Sequence, residues 1–365
     1  MAPSRTAKAE ASAEARGRAA REPFEIAGRS IAPGTRTAID IPVSVLADHT
    51  PIHLSAMVVH GRRPGPVMFV SAAVHGDEVL GVEVVRRLLR SAPVARLAGT
   101  LIAVPVVNAF GFHAHSRYLP DRRDLNRTFP GSERGSLAAR LANLFLNEIV
   151  ARCSVGIDLH TAAIHRSNLP QVRVSPGHTR TLELAKVFGA PVIVTSPLRD
   201  GSLRASADAT GIDVLLYEGG EGLRFDEFAI RAGVSGCLRV MRHLGMVGER
   251  GVSPPKTPSL TTSQSRWLRA PAGGIVRQLV GLGSSVAHGD TVGMVSDPFG
   301  GNDTPIVAEM AGLVIGRSNL PIVNEGDALV HVARVDAPGP SAEAQVEAHG
   351  EQLASDPMFD EDEII

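Results

Sequence analysis

The string His75-Gly76-Asp77-Glu78 follows the apolar run Pro66 to Val74 (PVMFVSAAV) and precedes apolar residues at helical spacing from Val79 to Leu89. A buried strand feeding a helix is where α/β sheets place their ligand crevice. An imidazole and a carboxylate three residues apart can grip one metal ion. Alone the pair is a weak signal: thirteen histidines would give on the order of one such pairing by chance, and Asp77 or Glu78 could instead cap the helix start. His160 strengthens the case because it ends a second apolar strand, Ser154 to Leu159 (SVGIDL). Adjacent parallel strands would bring both carboxyl ends into one crevice. Two near ligands and one distant one make the arrangement of a catalytic zinc, which leaves a fourth position for water. Asp158 is expected to point away from His160 along the strand and to support the site rather than ligate.

Hydrolysis at such a metal also needs a base for the water proton and a cation for the developing oxyanion. Glu218, in Leu216-Tyr217-Glu218-Gly219-Gly220, follows another apolar strand, and the two glycines leave its carboxylate accessible. A strand-end turn residue is the plainer reading, and Glu221 is a close competitor. The polar segment His115 to Phe129 (HSRYLPDRRDLNRTF) supplies Arg117, Arg122, Arg123 and Arg127. Charged loops are mostly just solvated, but Asn126-Arg127 could hold a substrate carboxylate, the arginine through its bidentate fork. Arg173 and Arg204 are conceivable contacts for a second carboxylate. His113, His115, His165, His288 and His331 read as ordinary hydrogen-bonding residues, the last two far from the ligand strands.

The elements that must position these groups alternate. Thr100 to Val107 reads as a strand, Ser136 to Val150 as a helix, Leu182 to Phe188 as a helix, Pro191 to Thr195 and Asp213 to Tyr217 as strands, and Phe225 to Leu244 as a long closing helix. This predicts an α/β fold with a mostly parallel, mixed sheet and helices on both faces. Residues 23–247 form that unit, 248–265 (rich in Pro, Ser and Thr) a linker, and 266–335 a small all-β sandwich or barrel whose Gly-punctuated halves echo each other. Residues 1–22 and 336–365 are expected to be disordered, the latter as a solvated acidic tail.

Taken together, His75-Gly76-Asp77-Glu78, then Asp124-Leu125-Asn126-Arg127-Thr128-Phe129-Pro130-Gly131, then Asp158-Leu159-His160-Thr161, then Glu218-Gly219-Gly220, resemble the succinylglutamate desuccinylase and aspartoacylase family, a branch of the zinc carboxypeptidase superfamily. The resemblance spans about residues 65 to 245, and 266–335 resembles the family's C-terminal domain. It implies one zinc ion per chain on His75, Glu78 and His160, with Glu218 as base and proton shuttle. It further implies that Asn126 and Arg127 hold a substrate carboxylate and that Arg117 polarises the acyl carbonyl, with Arg122 or Arg123 as substitutes because the spacing from Arg117 to Asn126 is longer than in the aspartoacylase pattern. The reaction implied is amide hydrolysis of an N-acyl amino acid or related small amine. A carboxypeptidase-like peptide hydrolase and a catalytically inert binding or scaffold protein are the alternatives.

Composition bounds the rest. The 365 residues, at roughly 150 per domain, exclude a single small module. A net charge of -1 gives no global reason to bind nucleic acid or anionic membrane, so the expected partner is a small carboxylate-bearing amide. Two dispersed cysteines, no long apolar span and no secretory h-region lead to the expectation of a cytoplasmic protein. The β module also resembles a lipoyl or biotinyl carrier, but Ala308-Glu309-Met310-Ala311 stands where a carrier has its modified lysine, so no swinging arm is expected. The oligomeric state is left open, with a homo-oligomer of twofold symmetry the commonest arrangement.

Overall fold

The computed structural model describes residues 21–335 and 339–356. Four parallel strands form the centre of a 13-stranded mixed sheet, in the order Asp213–Glu221, Val155–Ala162, Arg63–Ala72 and Ala98–Val104. Antiparallel strands extend it both ways: Pro51–His60 and Thr35–Val45 beyond Ala98–Val104, and Arg166–Val174 beyond Asp213–Glu221. The strand expected before His75 is Arg63–Ala72, and it is fully buried from Met68 onward because helices cover both faces.

The period of two along each strand sorts residues between those faces. Met68, Val70, Ala72, Val155, Ile157, Leu159, Leu215 and Tyr217 pack against helices Leu80–Arg90, Thr179–Phe188 and Glu227–His243. Phe69 and Val214 pack on the opposite side with helices Leu137–Glu148 and Leu203–Asp208. The same alternation turns Ser71, Asp158, His160, Arg173 and Glu218 toward this second face. The apolar half of each strand thus fixes where its polar half can project.

The C-terminal β region, expected as a separate small module after a linker, is joined to the main sheet. Its strand Gly312–Ser318 pairs antiparallel with Arg166–Val174, so the main sheet continues through Ala328–Ala333 to Ser265–Arg269. A second sheet of four strands closes a small core around Val276, Val292, Val295, Ile306 and Leu329. Within 248–265, Val252 is buried and Leu260–Thr262 adds a parallel strand to Val192–Thr195. The stretch lacks an apolar period, yet its backbone amides find partners on an exposed strand edge.

The acidic tail is also corrected. Residues 340–354 form a helix, Pro340–Ala354, with Ala342, His349, Gln352 and Leu353 buried. Ala342, Val346, His349 and Leu353 recur at steps of three and four, a helical stripe that the surrounding acids mask. Gln352 clasps the former linker through Lys256 N (2.9 Å) and Pro254 O (3.1 Å). Residues 336–338 and 357–365 lie outside the described residues. Of the N-terminal arm, 1–20 lie outside them too, but Arg21 is anchored: its guanidinium donates to Gly61 O (2.8 Å), Gly99 O (2.6 Å) and Thr100 Oγ1 (3.0 Å). Among the described residues no helix is long and apolar enough to cross a membrane.

The packed helix leads to a stability prediction. Leu353→Ala removes a buried side chain from the seam between helix Pro340–Ala354 and the main core, and should cost about 2–5 kcal/mol, read as a lowered urea midpoint. A solvated tail would show no change.

Candidate active site

His75 follows the carboxyl end of Arg63–Ala72, in a loop that turns against the backbone of Gly111. A Cβ at Gly76 would lie 1.9 Å from the Gly111 carbonyl carbon, so only glycine lets the His-Gly-Asp-Glu turn seat there. Neither Asp77 nor Glu78 caps the following helix, whose N-cap Val79 carries no side-chain hydrogen bond. Glu78 points into the crevice instead.

Ligand atoms of His75, Glu78 and His160, all three residues buried, lie within 4.8 Å of one another. His75 Nδ1 is 2.7 Å from Glu78 Oε1, and His160 Nδ1 is 2.7 Å from Glu78 Oε2. The outer nitrogens face carboxylates as well: His75 Nε2 to Asp124 Oδ1 at 3.0 Å, and His160 Nε2 to Asp158 Oδ2 at 2.7 Å. A neutral imidazole has a single N–H. If each Nε2–H donates to its aspartate, two Nδ1 lone pairs and the Glu78 carboxylate are left converging on one point. That donor set fits a divalent metal, with each histidine oriented from behind by a carboxylate. Asp158 does not point away: residues two apart on a strand share a face, and its other oxygen accepts from Ser71 Oγ at 2.8 Å.

The local electrostatics follow from burial and pairing. Burial pushes the Glu78 carboxyl upward, but His75 and His160 outweigh it and hold the group well below the usual carboxylate range. Burial likewise lowers both imidazoles, and their carboxylate partners reverse the sign and raise them. Asp124 is held down, against its burial, by His75 and Arg117.

Of the arginines, Arg117 reaches the cluster, donating to Glu78 Oε1 (3.1 Å) and to Asp124 Oδ2 through Nε (3.1 Å) and Nη2 (3.0 Å). Arg122 and Arg123 are exposed, and Arg123 sits 3.7 Å from Asp121. Asn126 is buried and accepts from Leu203 N at 2.9 Å, whereas the neighbouring Arg127 is exposed. Glu218 lies in register with His160 on the adjacent strand. Its Oε2 accepts from Asn168 Nδ2 (2.8 Å) and Arg173 Nη2 (3.1 Å). Glu221 turns elsewhere, accepting from His165 N and Asn319 Nδ2.

The sequence reading missed Asp124 as the partner of His75 and Asn168 as the partner of Glu218. The first stands at the head of the quoted Asp124-Leu125-Asn126-Arg127 string; the second carries no local signal. Arg173 Nε and Arg204 Nη1 are buried without hydrogen-bond partners among the described residues. Burial first, then the nearby Arg173, lowers Arg204 to about 10. His331, read as remote, is stacked on Trp267 (centroids 4.7 Å apart) and pushed to about 4 by burial and by Arg173.

An α/β sheet carrying a buried imidazole and carboxylate cluster at its strand ends defines the class of protein. Residues 64–244 match the succinylglutamate desuccinylase/aspartoacylase catalytic domain, and the chain belongs to that family. It is 27% identical over 291 residues to the N-alpha-acetyl-L-2,4-diaminobutyric acid deacetylase of Halomonas elongata, covering 75% of this chain and 84% of that protein. It is 30% identical over 175 residues to succinylglutamate desuccinylase of Pseudomonas aeruginosa, covering 41% of this chain and half (50%) of that protein. The fold is shared with the product-bound ectoine utilization protein EutE (DoeB) of Ruegeria pomeroyi (TM-score 0.74, 24% identity, 82% of this chain and 95% of that one). It is shared equally with a succinylglutamate desuccinylase/aspartoacylase of Rhodobacter sphaeroides (TM-score 0.73, 24% identity, 83% and 96%).

The Ser71–Asp158 contact is testable apart from catalysis. Ser71→Ala strips a buried carboxylate of one donor and should cost about 1.5–3 kcal/mol in denaturant unfolding; an unchanged midpoint would show that the bond contributes nothing net.

Proposed function

We propose that the protein is a zinc-dependent amidohydrolase that cleaves the acyl–nitrogen bond of an N-acyl amino acid or related small N-acyl amine. The observation that carries the reading is the convergence of His75 Nδ1, His160 Nδ1 and Glu78, with the outer nitrogens backed by Asp124 and Asp158. The named relatives, a deacetylase and a desuccinylase, support amide hydrolysis as the activity.

His75, Glu78 and His160 would hold the zinc ion, which when bound supplies Lewis acidity and lowers the pKa of water toward 7. Glu218 takes the water proton and returns it to the leaving nitrogen. Arg117, already beside Glu78, donates to the acyl oxygen as negative charge develops there. Arg127 pairs with a carboxylate on the substrate, and Asn126, whose Oδ1 is taken by Leu203 N, offers its amide N–H to the same group. Arg173 and Arg204, each with an unused N–H, suit a second carboxylate. The substrate is a small molecule, and the setting is the cytoplasm.

Elemental analysis tests this first. The protein should contain about one zinc per chain, and His75→Ala, Glu78→Ala and His160→Ala should each abolish it with the fold intact by circular dichroism. Asp158→Asn should weaken zinc about 10- to 100-fold in chelator competition. Glu218→Gln should retain zinc while release of free amine from N-acetyl-L-2,4-diaminobutyric acid, N-succinylglutamate or N-acetylaspartate falls about 10²- to 10⁴-fold. Wild-type protein that takes up no zinc on reconstitution would overturn the reading.

A further inference from the structure

Glu218 is held in an asymmetric way. Both of its side-chain hydrogen bonds, from Asn168 and Arg173, fall on Oε2, so Oε1 has no hydrogen-bond partner among the described residues. One oxygen is tethered and the other is left to exchange a proton. Asn168, only 7% exposed, sits on Arg166–Val174 between two strands: Gly220 of the Glu218 strand on one side and Gly316 of the C-terminal β module on the other.

Gly316 follows a register shift in the pairing with Ala328–Ala333, but its φ is not positive, so glycine is not required there for conformation. It is required for room. A Cβ at 316 would lie 2.9 Å from Asn168 Oδ1 and 3.2 Å from His331 Cβ. His331 is opposite Gly316 in the next strand, buried and stacked at an interplanar angle of 8° on Trp267, so it has little freedom to retreat. The Asn168 amide, the free end of a side chain, is the group that would give way, and its Nδ2 would leave Glu218 as it turned.

We propose that Asn168 is a positioning residue for Glu218, and that the C-terminal module contributes to the reaction by keeping position 316 free of a side chain so that Asn168 can reach the carboxylate. The inference rests on the reading of Glu218 as the proton carrier. Asn168 touches neither the reacting atoms nor the His75, Glu78 and His160 cluster by any hydrogen bond among the described residues, so its effect passes through Glu218 alone. A carboxylate held on Oε2 by Arg173 alone would still be present but would be misplaced, and misplacement of a reacting group by about 1 Å can cost on the order of 10²-fold in rate.

The test uses the full-length zinc-loaded chain, the three N-acyl amino acids named above, and the single and double variants Asn168→Ala, Gly316→Ala and N168A/G316A. Asn168→Ala should lower kcat roughly 10-fold or more, a part of the about 10²- to 10⁴-fold that general acid–base catalysis supplies, with KM and zinc content nearly unchanged and the fold intact by circular dichroism. Gly316→Ala should lower kcat in the same way, and N168A/G316A should be no slower than N168A, because two changes acting through one contact do not add. A crystal structure of the Gly316→Ala variant should show the Asn168 amide turned away from Glu218. Losses that multiply in the double variant, a kcat unaffected by Asn168→Ala, or a loss confined to KM would overturn the proposal, and the Asn168→Ala result decides it even if Gly316→Ala fails to fold. Glu218→Gln separates the two readings: turnover that survives it removes Glu218 from the reaction and this proposal with it, whereas turnover lost in Glu218→Gln but untouched in Asn168→Ala overturns the positioning role alone.

Discussion

One carboxylate organises the molecule. Glu78 is buried between two imidazoles and an arginine, and each imidazole is backed by an aspartate. Charges removed from water are tolerable only when each has a close partner of opposite sign, and removing any one leaves another exposed to the low dielectric. The group therefore demands that three segments meet: the turn after Arg63–Ala72 that carries His75 and Glu78, the end of the neighbouring strand Val155–Ala162, and the polar segment that carries Arg117 and Asp124. A sheet register shifted by one residue would turn Asp158 and His160 into the apolar layer and face Leu159 toward the crevice. The apolar alternation that builds the two cores and the ion cluster that sits between them thus impose the same register on the chain.

Much of this was legible in the sequence because it is local. Strand-to-helix junctions announce themselves through a change of apolar period, and His75, Glu78 and Glu218 stand at such junctions, while His160 stands near the end of an apolar strand that a second strand follows. The mixed sheet, its helices and the all-β C-terminal region follow from the same signals. Contacts between strands distant in sequence were not legible. Nothing near Asn168 says that Gly220 and Gly316 will be its neighbours, and nothing in the run of glycines after residue 266 distinguishes the one whose missing side chain matters. The helix Pro340–Ala354 was hidden differently. Its acids obey the rule for solvated tails, and the stripe of Ala342, Val346, His349 and Leu353 beneath them has value only once the main core and the module offer a surface to receive it.

The arginine content of the crevice sets its character. Arg117, Arg173 and Arg204 all lie on or beside the face that carries Glu218, yet the whole chain is almost neutral, at -1. Under the proposed function, recognition of the substrate's charge falls to these arginines and not to the net charge of the chain. Guanidinium groups keep their charge through burial where an ammonium would tend to lose it, so arginine is the cation suited to wait in a desolvated crevice.

The pairing of Gly312–Ser318 with Arg166–Val174 has a consequence for biosynthesis. During translation the central strands emerge first, and residues 64–244 contain every member of the ion cluster. Gln171 to Val174 on that edge pair with Val192–Thr195, but Arg166 to Asn168 stay unpaired until the ribosome has released the module, and an unpaired strand edge is a template for association with other chains. The nascent chain therefore carries its reactive groups for some time on an open sheet. Truncation before residue 312 would leave the stretch Arg166 to Asn168 permanently exposed and take from Asn168 its neighbour Gly316, so a fragment that kept every member of the ion cluster would still end in an open sheet edge.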